Sequence, residues 1–228
     1  MGNIKKQILT PLKITSDNGG SLADSFPDYS QKMPEVYTPR FFDLDRFRKF
    51  LADADIATKV PAILIAGSKG KGTTAHILAR LLTAHGKKTG LFTSPYLYDV
   101  REMIRLDGRM IPRSDFSRMV RELSLATKKF PGITFFEIMT ATALLYFSQK
   151  KADFFVMEVG LGGLLDAVNV VTPIATVLTM VEREHVDILG GTLLKIIRAK
   201  LGITRPDIPL ILGKQKNRIH ELILKELR

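Results

Sequence analysis

The chain has 228 residues, 45% hydrophobic and 25% charged, with no cysteine and a formal net charge of +11. That length suffices for one sizeable core, or for one domain plus part of another, and the balance is that of an ordinary globular protein. A disulfide framework is excluded, no apolar run approaches the ~20 residues of a membrane span, and the start M-G-N-I-K-K-Q-I-L-T-P lacks a secretory h-region, so a cytoplasmic location and no membrane partner are expected.

Residues 1–37 mix Ser, Asp, Gly and Pro without a sustained period and read as a loosely ordered leader. From Thr38 the pattern changes. Pro39 suits a first helical position, and Phe41, Leu44, Phe47, Phe50 and Leu51 recur every three to four residues, which predicts an amphipathic helix. Ala62 to Ala66 is an apolar run read as a short buried strand. It is followed by G-S-K-G-K-G-T-T, residues 67 to 74, and then by a helical pattern.

Strand, glycine loop and helix in that order form a phosphate loop. Gly67, Gly70 and Gly72 let the backbone curl with N–H groups turned inward, and the helix N-terminus adds partial positive charge where a triphosphate would lie. Lys71 supplies a full charge. Ser68, Lys69, Thr73 and Thr74 complete the expected nucleotide-binding set, although Gly72 separates the lysine from the hydroxyl that usually follows it. The alternative is a glycine-rich turn whose lysines face solvent.

Ile77, Leu78, Leu81 and Leu82 are taken as the buried face of the next helix, which Gly86 can end, and Lys88 to Thr93 reads as a second strand. Ser94-Pro95 breaks that strand at the edge where open α/β sheets place ligands, and Asp107-Gly108 predicts a tight turn between two short extended pieces. Ser114 is a candidate cap for a helix bearing Phe116, Met119, Val120 and Leu123. Phe135 to Phe147 is apolar nearly all round, as in a helix buried on a sheet.

Phe154 to Met157 reads as a central strand ending in Glu158. A carboxylate at a buried strand tip needs a cation, and beside a phosphate loop the natural one is the nucleotide's Mg²⁺; the alternative is a Glu bonded to a helix N-terminus. Ile174 to Val181 is a further strand, with His185 just past its tip. Thr192 caps a helix containing Lys195, Arg198 and Lys200, Ile208 to Leu212 is a fifth strand, and Arg218 to Arg228 begins another amphipathic helix. Alternating strands and helices predict an α/β fold with a mostly parallel sheet covered on both faces, and with Thr73 or Ser94, Glu158 and His185 converging at one edge.

The lysines and arginines are spread along the chain and lack the aromatic interleaving of a single-strand binder. A solvated basic surface, not nucleic acid, is therefore expected for most of them.

Six motifs in order resemble the folylpolyglutamate synthase and dihydrofolate synthase family of Mur-type ATP-dependent amide ligases. They are A-G-S-K-G-K-G-T-T (66 to 74), T-S-P-Y-L (93 to 97), F-E-I-M-T-A-T-A-L-L-Y-F (136 to 147), E-V-G-L-G-G-L-L-D-A-V-N-V-V (158 to 171), H-V-D-I-L-G-G-T (185 to 192) and A-K-L-G-I (199 to 203). The resemblance implies that residues 38–228 are the N-terminal, ATP-binding portion of a ligase whose C-terminal domain is absent. The substrates implied are ATP, folate or dihydropteroate, and glutamate.

The resemblance also implies that Lys71 holds the nucleotide phosphates and that Ser94, Glu158 and His185 bind magnesium. Lys200 falls where the family has a lysine that can be carbamylated; the alternative is a solvent-facing or phosphate-contacting lysine. Lys71, Lys200 and His185 are the candidate catalytic residues. Tyr96, Leu164, Val168 and Glu184 stand where the family usually has His, Arg, Thr and Asp. The competing expectation is an ATP-binding or regulatory module without ligase activity, contacting nucleic acid through its basic surface.

Overall fold

The structure, a computed structural model, describes residues 42–227; the expected leader and the helix start at Pro39 lie outside them. The first helix, α1 (Leu44–Asp53), begins at Asp43, whose carboxylate accepts the N–H groups of Asp45 and Arg46, and it buries Leu44, Phe47, Phe50 and Leu51 as the periodicity predicts. Then follow β1 (Ala62–Ala66), α2 (Lys71–Ala84), β2 (Thr89–Phe92), β3 (Ile104–Leu106), β4 (Arg109–Met110), α3 (Arg113–Ala126), α4 (Phe135–Gln149) and β5 (Phe154–Glu158). The described chain closes with β6 (Pro173–Leu178), α5 (Val186–Leu189), α6 (Leu193–Leu201), β7 (Leu210–Leu212) and α7 (Asn217–Glu226).

One seven-stranded sheet runs in the order β4-β3-β2-β5-β1-β6-β7. β2, β5, β1, β6 and β7 run parallel, and the β3–β4 hairpin adds an antiparallel edge with its turn at Asp107-Gly108. The sheet therefore has the mostly parallel character predicted. β1 lies between β5 and β6, so its C-terminal end opens at the point where the strand order reverses, the place such sheets keep for ligands.

The two faces are filled unequally. A large cluster takes Phe47 and Phe50 from α1, Phe116 and Met119 from α3, Ile138 and Phe147 from α4, Ile197 from α6 and Ile223 from α7. α4 is buried nearly all round and starts at a capping box between Thr134 and Glu137. On the opposite face a small cluster holds Ala75 and Ala79 of α2 against Ile65, Leu91 and Val156.

That small cluster corrects one expectation. Ile77 and Leu81 are more than half exposed, at 56% and 53%, while the alanines touch the sheet and Leu78 and Leu82 flank them. Small residues let α2 lie close to the strands, and its leucine-rich pattern therefore points partly outward. Two boundaries also differ. α3 starts at Arg113 after Pro112, with no side-chain cap, so Ser114 lies inside its first turn. β6 stops at Leu178, because Thr179 to Val181 turns away to bond the phosphate loop and Gln215. No described helix is long and apolar enough to cross a membrane.

Candidate functional site

β1 is buried along its whole length and delivers the chain to Gly67, where φ is +144° and any Cβ would collide with Thr179. Gly70, at φ +83°, turns the backbone into α2, whose first residue is Lys71. Gly67 to Thr74 thus form the loop and the first helical turn read from the sequence.

The loop is held from the β6 side. Ser68 and Lys69 donate their backbone N–H groups to the carbonyl of Met180, at 2.8 and 3.2 Å. The Ser68 hydroxyl donates to the Glu182 carbonyl and accepts the Glu182 N–H, while Lys69 Nζ lies 2.7 Å from the Glu182 carboxylate. This leaves Gly70 and the first residues of α2, Lys71 to Thr73, at the sheet edge.

Glu158 comes to that same turn from the tip of β5. It is 4% exposed and accepts the N–H of Ser94 at 3.2 Å and that of Gly72. A Cβ on Gly72 would sit 3.2 Å from its Oε2. The glycine that interrupts the usual lysine–hydroxyl order is therefore the residue that admits this carboxylate. Burial pushes the Glu158 pKa up; the Ser94 N–H, the Lys71 charge and the Gly72 N–H oppose it. Glu158 makes the helix-terminal contact weighed above as its alternative, and among the described residues it has no Lys, Arg or His within ion-pair distance.

On the other side of the loop lies Lys200, 2% exposed. Its Nζ donates to the Gly67 carbonyl at 2.8 Å and to Glu184 Oε1 at 2.7 Å. Burial lowers the Lys200 pKa, and Glu184 opposes that shift. For Glu184 burial acts upward, but the Lys200 bond and charge, with Ser68 and Lys71, outweigh it and hold the carboxyl below its ordinary range. Lys200 is therefore buried and paired, and does not face solvent as one of the alternatives had it.

His185 follows Glu184 directly. It is exposed, at φ +45° ahead of α5, and no hydrogen bond or ion pair joins it to Glu158 or Ser94. The structure thus brings Ser94, Glu158, Lys71 and Gly72 together and sets Lys200 against Gly67. Among the described residues, no group of three or more His, Cys, Asp or Glu is gathered for a metal.

Three residues of the neighbourhood were not among the site residues expected from the sequence, although Glu184 was noted as a departure from the family pattern. Glu182 and Glu184 act through loop contacts more than a hundred positions and sixteen positions away, respectively, which no local spacing reveals. Asp166, wholly buried, accepts the N–H groups of Leu161 at 2.8 Å and Val168 at 3.0 Å, closing the glycine-rich loop after Glu158, and burial raises its pKa to about 6. Its position six residues after Gly160, at the start of a helical turn, was the available signal. Val168 is buried in the core, while Leu164 is exposed.

Comparisons with known proteins agree on what this arrangement is. The Mur ligase middle domain pattern matches residues 65–208. A probable bifunctional folylpolyglutamate synthase/dihydropteroate synthase of Haloferax volcanii is 41% identical over 186 residues, covering 75% of this chain and 22% of its own. The dihydrofolate synthase/folylpolyglutamate synthase of Escherichia coli is 37% identical over 175 residues, covering 75% of this chain and 41% of its own. The structure of Mycobacterium tuberculosis folylpolyglutamate synthase complexed with ADP and AMPPCP superposes with a TM-score of 0.77 at 31% identity, covering 90% of this chain and 46% of that one. The chain spans less than half the length of each of these relatives. With the glycine loop, the carboxylate at the β5 tip and the strand order in place, it belongs to the Mur ligase middle domain family, within the folylpolyglutamate synthase and dihydrofolate synthase group.

Proposed function

We propose that this chain is the ATP-binding part of an amide ligase that joins glutamate to a carboxylate of a folate or pteroate through an acyl phosphate. The observation that carries the reading is Glu158: a buried carboxylate set on the N-terminal turn of α2, beside Lys71, with backbone N–H groups as partners and no cation in ion-pair contact. A magnesium-bound triphosphate would supply the missing cation. The ADP and AMPPCP in the Mycobacterium tuberculosis enzyme support a nucleotide at this loop.

In the proposed reaction the substrate carboxylate attacks the γ-phosphorus of ATP, the bond to the β-phosphate oxygen breaks, and ADP leaves. The glutamate amine then displaces phosphate from the acyl carbon and loses a proton as the amide forms. Little of this needs a protein acid or base; it needs charge placed where charge develops.

Lys71 and the N–H groups of the first α2 turn hold the phosphates, with Ser68, Lys69, Thr73 and Thr74 shaping the loop. Glu158 and the Ser94 and Thr73 hydroxyls are hard oxygen donors of the kind magnesium takes; we assign Ser94 and Glu158 to it, with His185 as a softer nitrogen ligand beside them. When bound, the ion would offset negative charge on the transferring phosphoryl group. Lys200, pinned to Gly67 and Glu184, fixes the start of the loop and is the residue through which catalysis would feel its protonation state. We place residues 38–228 in one ATPase domain acting in the cytoplasm.

Calorimetry with Mg-ATP and the non-hydrolysable analogue tests the reading. The chain should bind both, and Lys71→Ala should lower affinity by roughly 100-fold or more. Equal affinity in the variant would refute the site.

A further inference from the structure

The last turn of α6 is where the two halves of the candidate site are tied together. Lys200 lies in that turn and sends its side chain to the Gly67 carbonyl and to Glu184. The backbone of the same turn meets the loop that follows Glu158. Leu164 donates its N–H to the Ala199 carbonyl at 2.8 Å. A Cβ on Gly163, at φ +157°, would lie 2.9 Å from that carbonyl and 3.0 Å from the Lys200 carbonyl, and a Cβ on Gly202 would collide with Leu164. Two glycines let these backbones touch.

Asn169 and Arg205, neither of them among the nucleotide-binding residues, latch the contact. Asn169 is 3% exposed, and its Nδ2 donates to the carbonyls of Leu164 and Gly202, both at 3.0 Å. Its Oδ1 accepts Arg205 Nη2 at 2.7 Å, and the same nitrogen donates to the Asn169 carbonyl at 3.2 Å. Arg205 Nη1 donates to the carbonyls of Gly202 at 3.1 Å and Thr204 at 3.0 Å.

A guanidinium only donates and a carbonyl only accepts, so the Asn169 amide satisfies all its partners in one orientation. The carbonyls at the end of a helix have no donor within it, and here the one at Gly202 receives two from outside. The end of α6 is therefore fixed by side chains on two other segments.

That end carries Lys200, whose buried amine has to meet two acceptors at once. We propose that Arg205 is a positioning residue for the phosphate loop: through Asn169 and the Gly202 carbonyl it holds the end of α6 so that Lys200 keeps its grip on Gly67. Lys200 then sets where the loop begins. The inference rests on the nucleotide-binding reading above and extends it to a residue that touches no phosphate.

The test is calorimetry of the magnesium-bound non-hydrolysable ATP analogue, on the full chain and on variants shown to be folded by circular dichroism. Arg205→Met should lower affinity about tenfold, since small displacements at a binding loop are costly. Arg205→Lys keeps the charge without the planar fork, so it should recover only part of the loss. Lys200→Met should weaken binding to a like extent, and adding Arg205→Met to it should cost little more, because two residues acting through one contact are not additive.

Leu123→Ala distinguishes positioning from mere loosening. It truncates the buried face of α3, and the affinity should stay at the wild-type value. Where the double variant does not fold, the contrast between Arg205→Met, or Arg205→Lys, and Leu123→Ala decides. Affinity unchanged by the Arg205 substitutions, an equal loss in Leu123→Ala, or a full additive loss on the Lys200→Met background overturns the proposal and leaves the nucleotide site standing. A wild-type chain that binds no nucleotide refutes both.

Discussion

Glu158 and Glu184 flank the same phosphate loop and are held in opposite ways. Glu184 has a lysine: its carboxylate meets Lys200 at 2.7 Å, and the pair is anchored to the Gly67 carbonyl. Glu158 has only backbone N–H groups from Ser94 and Gly72, with Lys71 felt as a charge and not as a contact. One carboxylate has its positive charge within the chain and serves to set the loop's shape; the other is left for a cation brought from outside. Two glutamates of equal chemistry thus acquire a structural and a ligand-binding role from their neighbours alone.

The most damaging way to break the contrast is to remove the internal cation. Lys200→Met leaves Glu184 and the Gly67 carbonyl without their donor, and denaturant unfolding should show a loss of about 4 kcal/mol. A change within error would mean the pair does not anchor the loop.

Next in size is Asp166, which closes the loop after Glu158. Its folded pKa of about 6 lies above the ordinary 3.8, so the folded state takes up a proton between those values that the unfolded state does not. Stability from this group therefore rises as pH falls from 6 to 4 and is lost as pH rises through 6, an effect of about 3 kcal/mol. Urea unfolding across that range should show the slope in the wild type and lose it in Asp166→Asn. A slope unchanged by the substitution would show that other groups carry it.

Gly72→Ala sharpens the comparison from the Glu158 side. The helix accepts alanine, but the new methyl must push the carboxylate, so magnesium-dependent nucleotide affinity should drop about tenfold with little change in melting temperature. At the small end, Lys69→Ala removes an exposed pair with Glu182. Its melting temperature should match the wild type, because surface pairs are screened by solvent.

Much of this was legible in the chain. The glycine loop, the strands ending at Ser94 and Glu158, the hairpin at Asp107-Gly108 and the buried α4 all follow from local patterns of two or 3.6 residues. What was not legible depended on depth or on distant partners. Periodicity placed Ile77 and Leu81 on a helix but not on its outer face, because only the close alanine contact with the sheet decides which stripe turns inward. The Lys200–Glu184 pair and the Ser68–Glu182 clasp join loops whose approach is set by the whole sheet. The reason for Gly72 emerged only once Glu158 lay against it.

The central claim is that Glu158 awaits a metal ion carried in with a nucleotide. Electron paramagnetic resonance with Mn²⁺ in place of Mg²⁺, titrated in the presence of the non-hydrolysable ATP analogue, tests it most directly. The account predicts one tightly bound, nucleotide-dependent Mn²⁺ in the wild type, weakened about tenfold or more in a folded Glu158→Gln chain. An ion that binds equally well to both, or binds the wild type without regard to nucleotide, would contradict it.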